Sequence, residues 1–292
     1  MARIVVLGAG GFIGRALCTR LGTSAVAVTR QAGNLSAATD WPRLFAGASA
    51  VVHLASRAHA PAGDGGWIEA EVAMAAAIAG AAREAGARLI YLSSIKVHGE
   101  TSRAPFRADD APHPADAYGR AKLLCEAAMA GAAPTIIRPP LVYGPRVKGN
   151  FLALIRLVER GLPLPFAGIE NRRSFLFLDN LIDLIAAALA QERPGIFLAR
   201  DDEEPSTPTL IKYIAENLAR PARLFACPPA LLSGAAHLLG QGGAAERLLG
   251  TLSLDDGATR QALGWRPIIS LANGIAVTCR WYREANSPIR PA

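Results

Sequence analysis

Cysteine is scarce and scattered: Cys18, Cys125, Cys227 and Cys279 are the only four in 292 residues, with no Cys-x-x-Cys pair and no histidine cluster beside them. That spacing argues against a disulfide framework and a zinc site, and leaves four thiols expected to be buried. Long apolar runs are missing too. Hydrophobic residues make up 51% of the chain, yet the most apolar stretch, residues 72–82, is too short and too rich in alanine to span a bilayer, so no membrane insertion is expected. Lysine is rare, with four among 31 basic residues, and aromatic residues amount to 6%. Despite a net charge of +7, the arginines form no basic run and no aromatics are interleaved with them. This argues against nucleic acid as a partner and for a small anion such as a nucleotide. Arg3 and the apolar run after it could be taken for a signal peptide, but the glycine spacing inside that run has a better explanation, and the cytoplasm is the expected compartment.

What is present begins at the amino terminus. Residues 3–7 form a continuous β-branched run that leads into Gly8-Ala9-Gly10-Gly11-Phe12-Ile13-Gly14 and then into a helical pattern through Leu21. Strand, glycine turn and helix in that order make a phosphate cradle: glycines give the tight turn, let backbone amides approach a pyrophosphate, and aim the helix amino terminus at it. The spacing is Gly-x-x-Gly-x-x-Gly rather than Gly-x-Gly-x-x-Gly. A second strand over 25–29 ends at Arg30, where an NAD-selective site commonly has an acid against the ribose 2′-hydroxyl. Arginine there suits a 2′-phosphate and tilts the reading toward NADP(H); the alternative is a solvated strand-end arginine.

Further strands are expected over 50–55, 88–93, 135–138, 174–178 and 196–199, with helices over 41–46, 67–85, 150–160, 179–191 and 207–219. No third strand can be placed within 31–49. His53 reads as a core histidine and not as a ligand. Ser93 and Ser94 fall at the carboxyl end of their strand, where doubly wound folds put chemistry, and either hydroxyl could instead cap a turn. After them, Ala117-Tyr118-Gly119-Arg120-Ala121-Lys122 sets a phenol and an ammonium four residues apart, on one helix face. A fixed cation favours the phenolate, which makes the pair a proton donor or acceptor suited to alcohol and ketone chemistry. Arginine cannot replace a compact ammonium that donates in several directions, so a lysine here, in an arginine-rich chain, carries information. Pro139-Pro140-Leu141-Val142-Tyr143-Gly144-Pro145 reads as a stiff loop at the same edge. Arg172 and Arg173 are candidates for a diphosphate, or a solvated pair.

Together these motifs resemble the extended short-chain dehydrogenase/reductase family, the NAD-dependent epimerase/dehydratase enzymes that act on nucleotide sugars. The resemblance runs through Gly8 to Gly14, His53-Leu54-Ala55, Ser93-Ser94-Ile95-Lys96-Val97-His98-Gly99, Tyr118 with Lys122, and Arg138-Pro139-Pro140-Leu141-Val142. It implies an α/β fold: a Rossmann doubly wound parallel sheet over 1–149, with parts of 174–200 returning to it, and a smaller substrate-binding unit over 150–292. It implies Ser94, Tyr118 and Lys122 as catalytic residues. NAD(P)(H) would be held by Gly8, Gly10, Gly11, Phe12, Ile13, Gly14, Arg30, Leu54, Ala55, Ser56, Tyr118, Lys122, Pro139, Leu141 and Val142. A UDP-sugar would meet Ser94, Lys96, Asn150 and Arg173, and no metal is implied. A homodimer through the helices at 73–82 and 118–129 is also implied.

Within the family, the run from Ser93 to Glu100 with Val147-Lys148-Gly149-Asn150-Phe151 and Asn171-Arg172-Arg173-Ser174 is similar to UDP-N-acetylquinovosamine dehydrogenases of surface-polysaccharide synthesis. Those reduce a UDP-N-acetyl 4-keto-6-deoxyglucosamine. UDP-glucose 4-epimerase is the second reading, and a dinucleotide-sensing relative with weak chemistry the third. Dehydratase is disfavoured, because the resembling dehydratases carry Asp-Glu where this chain has Ile95-Lys96. There are departures. Glu71 stands where many members have Asn, His98 replaces Tyr or Asn, Ala121 replaces Ser, and the usual Asp-x-Ser-Lys survives only as Asp255-Asp256-Gly257-Ala258.

Overall fold

Short runs of apolar, mostly β-branched residues become parallel strands because a sheet covered on both faces has no polar side to satisfy. In the computed structural model, which describes residues 2–29, 35–55, 66–238 and 242–286, these strands are β1 (Ile4–Leu7), β2 (Ala25–Val28), β3 (Ala50–His53), β4 (Arg88–Leu92), β5 (Thr135–Arg138), β6 (Leu141–Tyr143), β7 (Phe175–Phe177) and β8 (Gly195–Leu198). Six of them form one parallel sheet in the order β2-β1-β3-β4-β5-β8. Arg30 and Ser56, both expected at the cofactor, lie outside the described residues, as does part of the stretch where no third strand could be placed.

The period-2 geometry of each strand sorts its side chains between two cores. Ile4 and Val6 face one cluster with Leu17, Leu181, Ile185 and Trp265, while Val5 and Leu7 face the other with Trp41, Phe45, Ile78 and Met129. The first layer is built on α1 (Phe12–Leu21) and α6 (Leu178–Gln191), and the second on α2 (Trp41–Phe45), α3 (Trp67–Glu84) and α4 (Ala117–Met129). Each fully buried Leu or Ile contributes ~1.5–3 kcal/mol through lost apolar exposure. Sheet and layers together make a doubly wound Rossmann-like α/β fold.

A third cluster gathers Tyr143, Phe151, Ile155, Phe175, Phe177, Ile214 and Ile275. It joins a small sheet, β6 parallel to β7, to α5 (Gly149–Glu159), α7 (Thr207–Asn217) and α11 (Leu271–Asn286). Here the expectation of a loop at 139–145 is corrected, since Leu141–Tyr143 is a strand. Three residues are too few to show a period, and the partner that makes them a strand comes from much later in the chain. Asp201 pins this cluster from inside, accepting hydrogen bonds from Tyr143 Oη at 2.8 Å, Asn180 Nδ2 at 2.8 Å and the Phe177 amide at 3.0 Å. The chain continues through α8 (Pro229–Leu238), α9 (Gly242–Leu249) and α10 (Gly257–Leu263). Among the described residues no helix is long and apolar enough to cross a membrane. The four thiols are free; Cys125 and Cys279 are buried, whereas Cys18 and Cys227 are only half-buried, against the expectation for all four.

Candidate active site at the carboxyl edge of the sheet

Strand order places the opening between the carboxyl ends of β1 and β3, because the chain leaves β1 toward β2 on one side and β3 lies on the other. At that opening Gly8 has φ +89°, and a Cβ there would stand 2.8 Å from the Ala55 amide nitrogen. Gly14 is tighter: a Cβ would come within 2.3 Å of the Gly8 carbonyl, so glycine is needed to press α1 against the end of β1. Gly10 and Gly11 are exposed at the mouth, with Phe12 and Ile13 half-buried behind them. The amino terminus of α1 has no side-chain cap at Gly11 and no acid in its first turn. Its amides and its positive dipole end are therefore open to an anion, and this arrangement fits the pyrophosphate of a dinucleotide. Leu54 and Ala55 border the crevice from β3.

The catalytic candidates come to the same edge from β4, α4 and β5. Asp116 caps α4, its Oδ1 accepting from the Gly119 amide at 2.7 Å while its Oδ2 takes the Lys96 ammonium at 2.6 Å. Gly119 lets the first turn of α4 sit directly on the turn after β4, since a Cβ there would be 2.5 Å from the Lys96 carbonyl. That contact brings half-buried Tyr118 alongside the turn carrying half-buried Ser94. One helical turn on, Lys122 is buried, donates from Nζ to the Leu92 carbonyl at 2.8 Å, and lies 4.6 Å from the Tyr91 ring centre and 5.8 Å from that of Tyr118. Burial pushes the Lys122 ammonium down to about 8, opposed by the charges of Glu71, then Cys125 and Glu126.

The two serines, ambiguous in sequence, separate here. Ser93 is buried and its hydroxyl donates to Glu126, whereas Ser94 is half-buried and accepts a 3.3 Å hydrogen bond from the Lys96 amide. Glu126 also takes Arg138 in a two-pronged pair, Nε to Oε1 at 3.0 Å and Nη2 to Oε2 at 2.5 Å, and Arg138 Nη1 reaches His98 Nε2 at 2.8 Å. This buried network was missed in the sequence. Its signal was there, because Tyr118, Lys122 and Glu126 recur every four residues along one face of α4. Beyond Arg138, the Pro139 carbonyl accepts from the Ile95 amide at 2.9 Å, and Leu141 and Val142 are half-buried.

The expected substrate contacts divide. Lys96 is held between Asp116 and Glu100, at 2.6 Å from each, so its ammonium ties the turn to α4. Asn150 is exposed in the first turn of α5. Arg173 is half-buried and donates to the Gly250 carbonyl at 3.0 Å. Burial pushes its guanidinium down to about 10; Glu100 opposes that and Arg247 adds to it. Arg247, which sequence reasoning also missed, keeps a buried Nε without a hydrogen-bond partner among the described residues. No group of three or more metal-ligating side chains occurs among the described residues.

Two buried histidines make stability depend on pH. Burial, with the Lys122 charge, pushes His53 down to about 3, and burial with Arg138 pushes His98 down to about 4. Unfolded imidazoles take up protons near pH 6.5, so below that value the unfolded chain binds more protons and folding weakens until the folded pKa values are passed. The melting temperature is expected to fall steadily from pH 6.5 to pH 4, and His53→Phe to flatten the slope. A melting temperature unchanged over that window would contradict the assignment.

A parallel sheet with an uncapped, glycine-led helix at its switch point and Ser, Tyr and Lys at the same edge defines a dinucleotide-dependent enzyme class. The chain belongs to the NAD dependent epimerase/dehydratase family, whose model matches residues 4–198. It is 32% identical to a UDP-glucose 4-epimerase of Vibrio cholerae over 97% of this chain and 96% of that protein. Its fold is similar to that of UDP-glucuronic acid 4-epimerase from Bacillus cereus in complex with NAD, with TM-score 0.78 at 19% identity, covering 98% of this chain and all of the other. It is similar in fold also to the Bordetella bronchiseptica enzyme WbmG in complex with NAD and UDP, with TM-score 0.76 at 19% identity, covering 97% and 94%.

Proposed function

We propose that this enzyme exchanges hydride at C4 of a UDP-sugar, and does so as net reduction of a UDP-N-acetyl 4-keto-6-deoxyhexosamine. The observation that supports the reading is Tyr118 beside Lys122 on α4, whose first turn packs on the turn that carries Ser94, in a sheet whose first strand leads into an uncapped, glycine-led helix. Gly8 to Gly14, with Leu54 and Ala55, would hold the dinucleotide, which when bound would supply the hydride for C4. Tyr118 Oη gives its proton to the C4 oxygen, so the carbonyl π bond breaks as new C–H and O–H bonds form. Ser94 Oγ orients that oxygen, while Lys122 holds a positive charge beside the phenol. Arg173 and Arg247 offer a cationic end for the diphosphate. Dehydration finds little support, because Ile95 is buried and Lys96 is ion-paired, leaving no acid directly after Ser94.

Epimerisation at C4 is the second reading, favoured by the likeness to a UDP-glucose 4-epimerase. The cofactor's fate separates the two. A reductase is expected to oxidise NADH or NADPH stoichiometrically with the 4-keto sugar and to purify largely without cofactor. Retention of tightly held NAD, with interconversion of UDP-glucose and UDP-galactose and no consumption of added NAD(P)H, would replace reduction by epimerisation. Assaying both nicotinamides also tests the NADP(H) preference read from Arg30; the named structural neighbours hold NAD. We extend the proposal to a cytoplasmic homodimer of surface-polysaccharide synthesis, paired through α3 and α4, where small residues allow close approach. Light scattering that finds a monomer at micromolar concentration would remove the dimer.

A further inference from the structure

The turn after β4, residues 93–98, carries Ser94 but gives that serine little hold of its own. Ser94 is half-buried, and its hydroxyl accepts from the Lys96 amide at 3.3 Å, which is long for a hydrogen bond. The ends of the turn are held better. At one end the buried Ser93 hydroxyl donates to Glu126, and at the other the buried His98 ring meets Arg138 Nη1 through Nε2 at 2.8 Å. Glu126 and Arg138 are themselves joined through two guanidinium nitrogens, so both ends of the turn close on one buried ion pair. A guanidinium can only donate, so Nε2 of His98 has to accept and the ring proton sits on Nδ1. Burial, with the Arg138 charge, pushes the ring down to about 4 and keeps it neutral at neutral pH. Nδ1 is buried with no hydrogen-bond partner among the described residues. An apolar ring would not carry that cost. Phenylalanine could stack in the same way on Phe106, 5.3 Å between ring centres, so packing leaves the imidazole unexplained and the bond to Arg138 accounts for it.

We propose that His98 is a positioning residue: by accepting from Arg138 it clamps the far end of the turn and fixes where Ser94 presents its hydroxyl. This rests on reading Ser94 as the residue that orients the C4 oxygen. The backbone passes the clamp to Ser94 within one turn, because the His98 amide donates to the Ile95 carbonyl at 2.8 Å and the Val97 amide to the Ser94 carbonyl at 3.3 Å. The near end is fixed on both sides of Arg138, where the Ser93 amide donates to the Ile137 carbonyl at 2.8 Å and the Ile95 amide to the Pro139 carbonyl at 2.9 Å. Without an acceptor at position 98, Arg138 would still hold Glu126 and Ser93, but the side chain that closes the turn on the ion pair would be lost. A displaced hydroxyl costs rate even where the fold survives, since catalysis depends on the reacting groups being in place before reaction.

Nitrogen-15 labelling of histidine in the full wild-type chain tests the clamp without substrate. His98, assigned by the signals that His98→Gln removes, should show at neutral pH a protonated Nδ1 and an unprotonated Nε2. A ring protonated on Nε2, or on both nitrogens, overturns the proposal. Amide hydrogen exchange in His98→Phe should quicken across residues 94–98 and keep its wild-type rate along α4; an unchanged turn overturns it as well. Turnover then separates positioning from packing. With NADH and UDP-N-acetyl 4-keto-6-deoxyglucosamine, or with UDP-glucose if the wild type epimerises, His98→Phe should lose about 10- to 100-fold in kcat and keep NADH affinity within about a factor of two. His98→Gln, whose side-chain carbonyl still accepts, should stay within about threefold of wild type. In a Ser94→Ala background His98→Phe should cost less than about twofold more, because the hydroxyl it positions is already gone. An equal loss with and without Ser94 would mean that His98 acts through packing, and overturns the proposal. Should His98→Phe fail to fold, His98→Asn, one methylene shorter than His98→Gln, replaces it in the exchange and turnover arms. A wild type that turns over neither sugar removes the functional reading, whereas the ring proton and the exchange rates still decide the clamp.

Discussion

Tyr118→Phe is expected to lose about 10²- to 10⁴-fold in turnover while binding reduced nicotinamide within about a factor of two of the wild type. The substitution deletes one oxygen and its transferable proton. The ring that neighbours Lys122, 5.8 Å from its ammonium, stays in place, as do the Asp116 cap and the Gly119 contact that hold the first turn of α4. Lys122→Met should behave differently, harming cofactor binding and turnover together, because it removes a buried cation from the pocket itself. Steady-state rates with a 4-keto UDP-sugar, paired with fluorescence titration of NADH, check both variants. Wild-type turnover in Tyr118→Phe would move the proton donor to another residue.

Arg138→Met should cost ~3–5 kcal/mol of folding stability, because removing one member of a buried ion pair strands the other. Glu126 and Arg138 are both enclosed, with side chains 5% and 3% exposed. Losing the guanidinium would leave the Glu126 carboxylate with the Ser93 hydroxyl and the field of Lys122, and would also remove the donor at His98 Nε2. Replacing both partners, as Arg138→Met/Glu126→Leu, should recover much of the loss, since apolar groups of similar volume leave no charge uncompensated. Denaturant unfolding of the two single variants and the double variant gives the comparison. A single variant as stable as wild type would mean that the pair contributes little.

The network also shows what a linear reading reaches. Tyr118 and Lys122 were legible as a pair because four residues along a helix return to one face, and the glycine cradle because strand, turn and helix follow one another directly. Glu126 obeys the same spacing, yet nothing local distinguishes an acid that binds Arg138 from one that faces solvent. Lys96 was implied as a substrate contact by the family resemblance. Of its two carboxylate partners, Glu100 is local, four residues on, whereas Asp116 became visible only once α4 was packed on the turn after β4. Leu141–Tyr143 read as loop because its strand partner, Phe175–Phe177, is distant in the chain.

By itself, then, the sequence determined the alternation of strands and helices, the phosphate-binding turn after β1, and the phenol and ammonium on one face of α4. All are written within one turn or one strand, where backbone geometry alone sets which side chains are neighbours. The tertiary structure joined the Ser93 hydroxyl to Glu126 and gave Glu126 its arginine. Those outcomes depend on which elements the strand order brings side by side and on the depth at which each charge is buried, and neither quantity exists until distant segments pack.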